Sequence, residues 1–515
     1  MRRYTMMMFI LVLLAVTASL TGAEQKVITV LHVNDFHGFA EPYKPLGSDT
    51  LAGGIATLAS EVGKIRAERP VLLLAAGDMI QGNNWANLFQ GESVIELMNA
   101  MKFDAMVLGN HEFDFGTEIL KKRISEAGFP VLGANVAGLG DLVTPYIIRE
   151  LQGVRIAIIG VVTEDVPFTT HPRNVKGLTF LPVAGVVDRY VRELKGKADV
   201  IIVLSHIGFS EDRELARRVN GITAIIGGHS HTRVVDPPVV NNALIVQAWE
   251  HAKDLGELDL YMEGRKVVRA EERLIDISPA AGTGDPAVER IVEKYEKKVD
   301  ALLDEPVGEA LVDLDGEHVR SRETNLGDLI ADIIRKTAGS DIAIIGGGSI
   351  RTSILKGIIR LRNIYAVSPF NNYIVAVRMT GRQVREALEH GVSAVEEGAG
   401  RFPQVSGLSF TYTLSAPPGS RVKEVMVAGR QLDPDRRYTV ATDDFLAAGG
   451  DGYKAFGEAV RASKDYSVVG GVMKGDRLVY GNPGRWERDV IADYIRSGGK
   501  ISLTAGGRIK EVSGR

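Results

Sequence analysis

Short apolar runs alternate with helix-patterned stretches from residue 27 to about residue 277. The runs 28–33, 71–75, 105–108, 200–204 and 222–226 are rich in Val, Ile and Leu and read as buried strands. Stretches 53–68, 92–101, 117–127, 186–194 and 211–219 carry apolar residues three and four positions apart, which predicts amphipathic helices. Alternating β and α units predict an α/β layered domain. Runs 255–262 and 266–275 alternate with the period of two expected of antiparallel strands.

The pattern then changes. Asp285-Pro286 opens a charged helix over 287–304 with Val288, Ile291, Val292, Tyr295 and Val299 on one stripe, and Pro306 stops it. One helix between two globular regions reads as a linker. Residues 306–515 form a second domain, with a helix over 325–338, a strand over 341–345, a helix over 382–390 and strand-rich sequence through 438–442. Neither an internal repeat nor a low-complexity segment is present.

Length agrees with two domains, since single cores stop growing near ~250–300 residues and the chain has 515. Composition is that of a globular protein: 45% hydrophobic, 24% charged, mean hydropathy +0.02. The absence of cysteine excludes disulfides, thiolate ligands and a lipid-modified cysteine. Residues 1–23 read as a signal peptide: Arg2 and Arg3 precede an apolar core at 6–16, and Thr21 and Ala23 fall at the −3 and −1 positions of a cleavage site. That core is shorter than the ~20 residues a membrane span requires, so export with cleavage and no stable membrane insertion is expected, to the periplasm, cell surface or medium. The formal net charge is −4, and losing residues 1–23 removes two arginines and no acid. An acidic chain without a Lys/Arg run excludes a non-specific nucleic-acid binder. An anionic substrate must therefore be met locally.

The candidate chemistry lies at the ends of the five strand-like runs. They are followed by Asn34-Asp35-Phe36-His37-Gly38, Gly77-Asp78, Gly109-Asn110-His111-Glu112-Phe113-Asp114, Ser205-His206 and Gly227-Gly228-His229-Ser230-His231. Five of the ten histidines sit in these segments. In an open α/β sheet the carboxyl ends of strands share one edge, where ligands gather. Asp35 and His37, two apart, can face one way in an extended loop, and His229 and His231 repeat that spacing. Asp, Asn and His donors without sulfur suit Zn²⁺ or Mn²⁺. Two such ions ~3.5–4 Å apart need a bridging anion, a role that fits Asp78. His111 is assigned to transition-state chemistry, with Asp114 three residues on to orient its ring and keep it cationic. His32, His171, His251, His318 and His390 belong to no motif and are read as structural or surface residues. His251, after Trp249-Glu250, is the first candidate for an exception.

These motifs, in this order, resemble those of the calcineurin-like metallophosphoesterases. Asn-Asp-Phe-His-Gly and Gly-Asn-His-Glu-Phe-Asp, with a second domain, resemble the secreted 5′-nucleotidase / UDP-sugar hydrolase family. The resemblance implies a four-layer α/β sandwich over 24–284, a linker helix over 285–305 and an α/β nucleotide-binding domain over 306–515. It implies one metal held by Asp35, His37, Asp78 and His231, and another by Asp78, Asn110, His206 and His229. The family commonly has Gln or Asn where His231 stands, which bears on metal choice. It further implies that Arg322 and Arg351 bind polar groups of a nucleotide, that Phe370 and Phe445 sandwich its base, and that Asp451 contacts ribose hydroxyls. Gly346 stands where the family commonly has Asn, so base preference is open. The run Ile345-Gly346-Gly347-Gly348-Ser349 lacks the Gly-Lys-Ser/Thr end of a P-loop.

The expected activity is two-metal hydrolysis of nucleoside 5′-monophosphates, extending to nucleotide sugars or polyphosphates. Two alternatives are a 2′,3′-cyclic-nucleotide phosphodiesterase with 3′-nucleotidase action on the same fold, and a non-catalytic nucleotide binder. The last requires lost ligands, yet every named ligand position holds a competent side chain. Hinge motion near the linker helix is an implication of the resemblance.

Overall fold

Two six-stranded sheets face each other in the N-terminal half of the computed structural model, which describes residues 26–279, 283–469 and 471–512. The signal peptide expected at 1–23 lies outside the described residues. In the first sheet, parallel strands Lys26–Val33, Val71–Ala75, Ala105–Val107 and Val131–Leu132 lie side by side, and Asp254–Glu263 and Lys266–Asp276 extend it as an antiparallel pair. In the second, Val154–Val162, Val200–His206, Ala224–Ile226 and Ala243–Val246 are parallel. Tyr146–Leu151 and Val239–Val240 close its edges antiparallel.

Both faces of each sheet are covered, which explains why the strands read as unbroken apolar runs. Ile28, Val30, Leu72 and Leu74 meet Ile156, Ile158, Ile202 and Ile226 between the sheets. The alternate residues Leu31, Val33, Leu73 and Ala75 face helices Ile55–Glu68, Glu92–Met101 and Thr117–Glu126. On the far side, Ile159, Ile201, Val203 and Ile225 face helices Val183–Leu194 and Phe209–Arg218. The result is helix, sheet, sheet, helix: the four layers expected.

The helix Pro286–Leu303 begins as the sequence indicates, with Asp285 accepting hydrogen bonds from the amides of Ala287 (2.8 Å) and Val288 (3.0 Å). Its apolar stripe is seated on the first domain, where Tyr295 is enclosed by Trp85 and Phe89 and its hydroxyl donates to Glu96 at 2.7 Å. The second domain is built on a mixed five-stranded sheet in the order Pro403–Ser406, Ile342–Gly346, Arg437–Asp443, Ile374–Thr380, Leu478–Gly481. Helices Asn325–Ala338 and Glu487–Gly498 cover one face, and Gly381–Gly391 and Lys454–Arg461 the other. Arg362 of helix Leu361–Val367 pairs with Glu296 and with Asp300 (2.8 Å), tying the second domain to the linker helix.

Candidate active site

Because the central strands of both N-terminal sheets run parallel, their carboxyl ends meet along one edge, and the five motifs converge there. The ligand atoms of Asp35, His37 and His231 lie within 4.8 Å of one another, as do those of Asp78, His206 and His229. Asp78 stands between the two groups: its Oδ2 is 3.9 Å from His37 Nε2 and 3.1 Å from His206 Nε2. Asn110 Oδ1 is 2.9 Å from His229 Nδ1.

The donors are aimed by hydrogen bonds on their other side. His37 Nδ1 and His206 Nδ1 donate to the carbonyl oxygens of Gln81 and Ala76, both at 2.7 Å. A carbonyl only accepts, so in each neutral ring the lone pair is on Nε2, facing carboxylate oxygens and, for His37, the Nε2 of His231 at 3.2 Å. Buried lone pairs and carboxylates turned toward one another call for positive charge. The same demand acts on protons: burial alone would suppress the charge on His206, but Asp78, with Asp35 behind it, lifts its pKa to about 10. Burial, with the nearby His206, pushes His229 down to about 3. By donor chemistry and orientation, these residues fit a pair of divalent cations.

The local backbone is unusual. Asp35, His37, Asp78, His229 and His231 all have φ between 48° and 77°, a region that residues with a Cβ seldom occupy. Such conformations persist where surroundings enforce them, and at Asp78 Glu112 supplies that enforcement. Its buried carboxylate accepts from the amides of Asp78 (2.9 Å), Met79 (2.7 Å), Ile80 (3.3 Å) and Gly109 (2.6 Å). It thereby clamps the Asp78 loop to the Asn110 loop. Burial and the Asp78 charge push Glu112 up to about 7. At Gly109 no side chain fits, since a Cβ would fall 2.2 Å from Asp78 Oδ1.

His111 and Asp114 meet as their spacing predicts: Nδ1 donates to Asp114 Oδ2 at 2.6 Å. Asp114 is held in turn by Thr170 Oγ1 and by Asn174. Burial disfavours a charged imidazole here, yet Asp114 and Asp78 outweigh it and hold the pKa of His111 above its ordinary value. Its Nε2 is 4.0 Å from Asp78 Oδ2, and its ring lies tilted 28° from that of Phe370 at 5.8 Å.

Phe370 belongs to the second domain, so the site is shared. A cavity of about 830 Å³ opens between the domains, lined by Asp78, Asn110 and His111 on one wall and by Arg351, Phe370, Phe445 and Asp451 on the other. Arg351 reaches across and donates to His37 Nε2 at 3.1 Å. Arg322 is not brought to the cleft. It turns outward, more than half exposed, and pairs with Asp315 at 3.4 Å. On that turn it is Arg320, which sequence reasoning missed, that lines the cavity. The two flank Ser321, and what selects between them is distant in sequence: Gln404 donates to the carbonyls of Val319 and Arg322 and fixes the turn. Arg401 also lines the cavity without a motif to announce it. Of the unassigned histidines, His251 is buried beside His231 and Glu250 with its ring stacked on Phe39, and His171 lines the cavity. His32, by contrast, is buried against Glu272 at 2.9 Å, away from the site.

Fold and site together define a two-domain metallophosphoesterase. The calcineurin-like phosphoesterase family profile matches residues 28–233, and that of the 5′-nucleotidase C-terminal domain matches residues 306–458. The chain is 31% identical to a 5′-nucleotidase of Homo sapiens, over 95% of this chain and 91% of that protein. It is 33% identical to the trifunctional nucleotide phosphoesterase protein YfkN of Bacillus subtilis over 94% of this chain, though it spans only 35% of that protein's length. Among solved structures, a 5′-nucleotidase precursor from Thermus thermophilus aligns with a TM-score of 0.85 and 33% identity, covering 95% of this chain and 100% of that one. The chain belongs to the 5′-nucleotidase family.

Proposed function

We propose that this protein is an exported, metal-dependent 5′-nucleotidase that releases phosphate from nucleoside 5′-monophosphates, with Asp35, His37, Asp78 and His231 holding one divalent ion and Asp78, Asn110, His206 and His229 the other. The observation that carries the reading is Asp78, placed between two converging donor groups on the floor of a cleft whose opposite wall presents Arg351 and two phenylalanine rings. When bound, the ion pair, Zn²⁺ or Mn²⁺ by donor type, supplies Lewis-acid stabilisation of phosphoryl charge and makes a water acidic enough to attack near neutral pH.

The rest of the chemistry belongs to side chains. The cationic ring of His111, fixed through Nδ1 by Asp114, directs Nε2 at the phosphoryl group and offsets charge on its oxygens or protonates the leaving oxygen. Asn110 offers its amide to the same charge. Arg351 and Arg320 bring fixed positive charge from the second domain to an anionic substrate. Phe370 and Phe445 offer faces on which a base can stack, worth ~1–3 kcal/mol per base and tolerant of base identity; Asp451, on the same wall, accepts from ribose hydroxyls in this reading. Export is supported by the basic, apolar and small-residue order of residues 1–23. Among the described residues no helix is long and apolar enough to cross a membrane.

Phosphate release from AMP, 3′-AMP, UDP-glucose and 2′,3′-cyclic AMP, measured on protein stripped by chelator and reloaded with Mn²⁺ or Zn²⁺, tests the reading. AMP should be the fastest substrate, with no turnover before reloading. The likeness to a trifunctional nucleotide phosphoesterase supports action on more than one kind of nucleotide ester, and cyclic-nucleotide cleavage is the second reading. It prevails if 2′,3′-cyclic AMP and 3′-AMP turn over and AMP does not.

A further inference from the structure

Beside the metal ligands lies a group that no motif announces: half-buried Glu250 with the buried His251 and Lys253, on the connection between strands Ala243–Val246 and Asp254–Glu263. One carboxylate oxygen of Glu250, Oε2, is in hydrogen-bond contact with Nδ1 of His231. The other, Oε1, accepts from the Lys253 ammonium at 2.6 Å, and that ammonium also lies 3.6 Å from the centre of the Trp249 ring. A carboxylate in direct contact with an ammonium is ionised and can only accept. The shared proton therefore belongs to His231 Nδ1. That leaves the lone pair on Nε2, the atom 3.2 Å from both Asp35 Oδ1 and His37 Nε2.

The backbone holds this arrangement under strain. Trp249, His251 and Ala252 have φ of 61°, 55° and 55°, three left-handed residues around Glu250 and none of them glycine. The connection is tied directly to the ligand loop: the His251 amide donates to the Asp35 carbonyl at 2.9 Å, and the Asn34 side chain donates to the Trp249 carbonyl while accepting from the Ala248 amide at 2.8 Å. The Trp249 amide donates to the carbonyl of Thr232, next to His231. A relaxed loop would not need these contacts, and they deliver the Glu250 carboxylate to one nitrogen.

The ligand-type atoms of His231, Glu250 and His251 also lie within 4.8 Å of one another, but a third cation there would have to displace Lys253. His251 is engaged elsewhere, with Nδ1 3.2 Å from the Tyr43 hydroxyl and its ring 3.7 Å above Phe39. The group is built to act on His231. It also sets that residue apart, because His37 and His206 are backed by neutral carbonyls. A carboxylate behind a ligating imidazole fixes its tautomer and raises its basicity, and losing such a partner typically lowers metal affinity ~10–100-fold. More basic nitrogen donors favour Zn²⁺ over oxygen-preferring Mn²⁺.

We propose that Glu250 is a positioning residue that locks His231 as an Nε2 donor and makes the Asp35–His37–His231 group the tighter and more Zn²⁺-selective of the two. The proposal rests on the two-metal reading above, and the test separates the two. Chelator-stripped wild type, Glu250→Gln and Glu250→Ala are titrated with Zn²⁺ and, separately, Mn²⁺ against a competing chelator. The wild type should take up two ions; uptake of none would overturn the two-metal reading and this proposal with it. Given two ions in the wild type, Glu250→Ala should weaken one Zn²⁺ step about 10–100-fold, leave the other within about twofold, and weaken Mn²⁺ less. Glu250→Gln keeps the volume and an acceptor for Nδ1–H but not the charge, and should fall between. Two Zn²⁺ steps unchanged in both variants would overturn the role of Glu250 while leaving the two-metal reading intact.

Discussion

Each residue of the site acts through a partner, and the partner decides what can be changed. Glu112 accepts two amide hydrogen bonds on each oxygen, so Glu112→Gln must turn an NH₂ group toward amide donors in either orientation. Mispaired buried polar groups cost about 1–3 kcal/mol. Glu112→Gln is expected to lose about 2 kcal/mol in urea unfolding and to weaken metal retention through the Asp78 loop. Unchanged stability would show that the clamp is dispensable. His111→Ala should lower kcat about 10²–10⁴-fold with metal content preserved, because the ring touches Asp78 only at 4.0 Å. A parallel loss of metal would make it a ligand instead. At this scale the sequence was legible where partners are close in the chain. His111 and Asp114 are three apart, and Asp35 and His37 two. Glu250 and His231 are nineteen apart on a strained connection, and the choice of Arg320 over Arg322 depends on Gln404. Neither leaves a local trace.

At the scale of elements, the periodicities hold because tertiary burial agrees with them. The helix over 325–338 is found as Asn325–Ala338, and the runs 28–33 and 71–75 fall within Lys26–Val33 and Val71–Ala75. The run 222–226 pairs only from Ala224, and 200–204 extends to His206, so that this histidine lies within its strand rather than beyond it. Val154–Val162 is as apolar as its neighbours but leads into none of the five motifs, and its place between Val200–His206 and the edge strand Tyr146–Leu151 follows from pairing alone. Helix Glu487–Gly498 carries a pH-dependent consequence. Glu487, at its first position, is 3% exposed; burial, with Asp444 nearby, raises its pKa from 4.5 to about 7. Between those values the folded chain holds a proton that the unfolded chain has released, so stability falls as pH rises through that window. Glu487→Gln removes this dependence. Its melting temperature relative to wild type should rise between about pH 5 and about pH 8; a difference independent of pH would contradict the burial argument.

At the scale of the molecule, neither domain holds a complete site. Arg351 meets His37 and Phe370 lies against His111 across the cleft, while Glu317 accepts from the Leu46 amide at 2.7 Å and His171 faces Asp444 at 3.3 Å on its rim. Division of labour predicts separable kinetics. Phe370→Ala should raise KM for AMP about tenfold, the equivalent of ~1.4 kcal/mol of stacking, and leave hydrolysis of glycerol phosphate, which has no base, unaltered. Arg320→Ala should also raise KM for AMP, whereas Arg322→Ala should stay within about twofold. The reverse order would restore Arg322 to the cleft. That two domains exist was legible from the proline-bracketed helix, but how they face each other was not, since the contacts joining them are single side chains far apart in sequence.

The central claim is that imidazole, amide and carboxylate groups from both sheets gather two divalent cations around Asp78. Anomalous diffraction at the Mn or Zn edge, from crystals equilibrated with that metal, measures this directly. The expected map has two peaks about 3.5–4 Å apart, one among Asp35, His37 and His231, the other among His206, His229 and Asn110, with Asp78 between them. A single peak, or peaks away from Asp78, would contradict it.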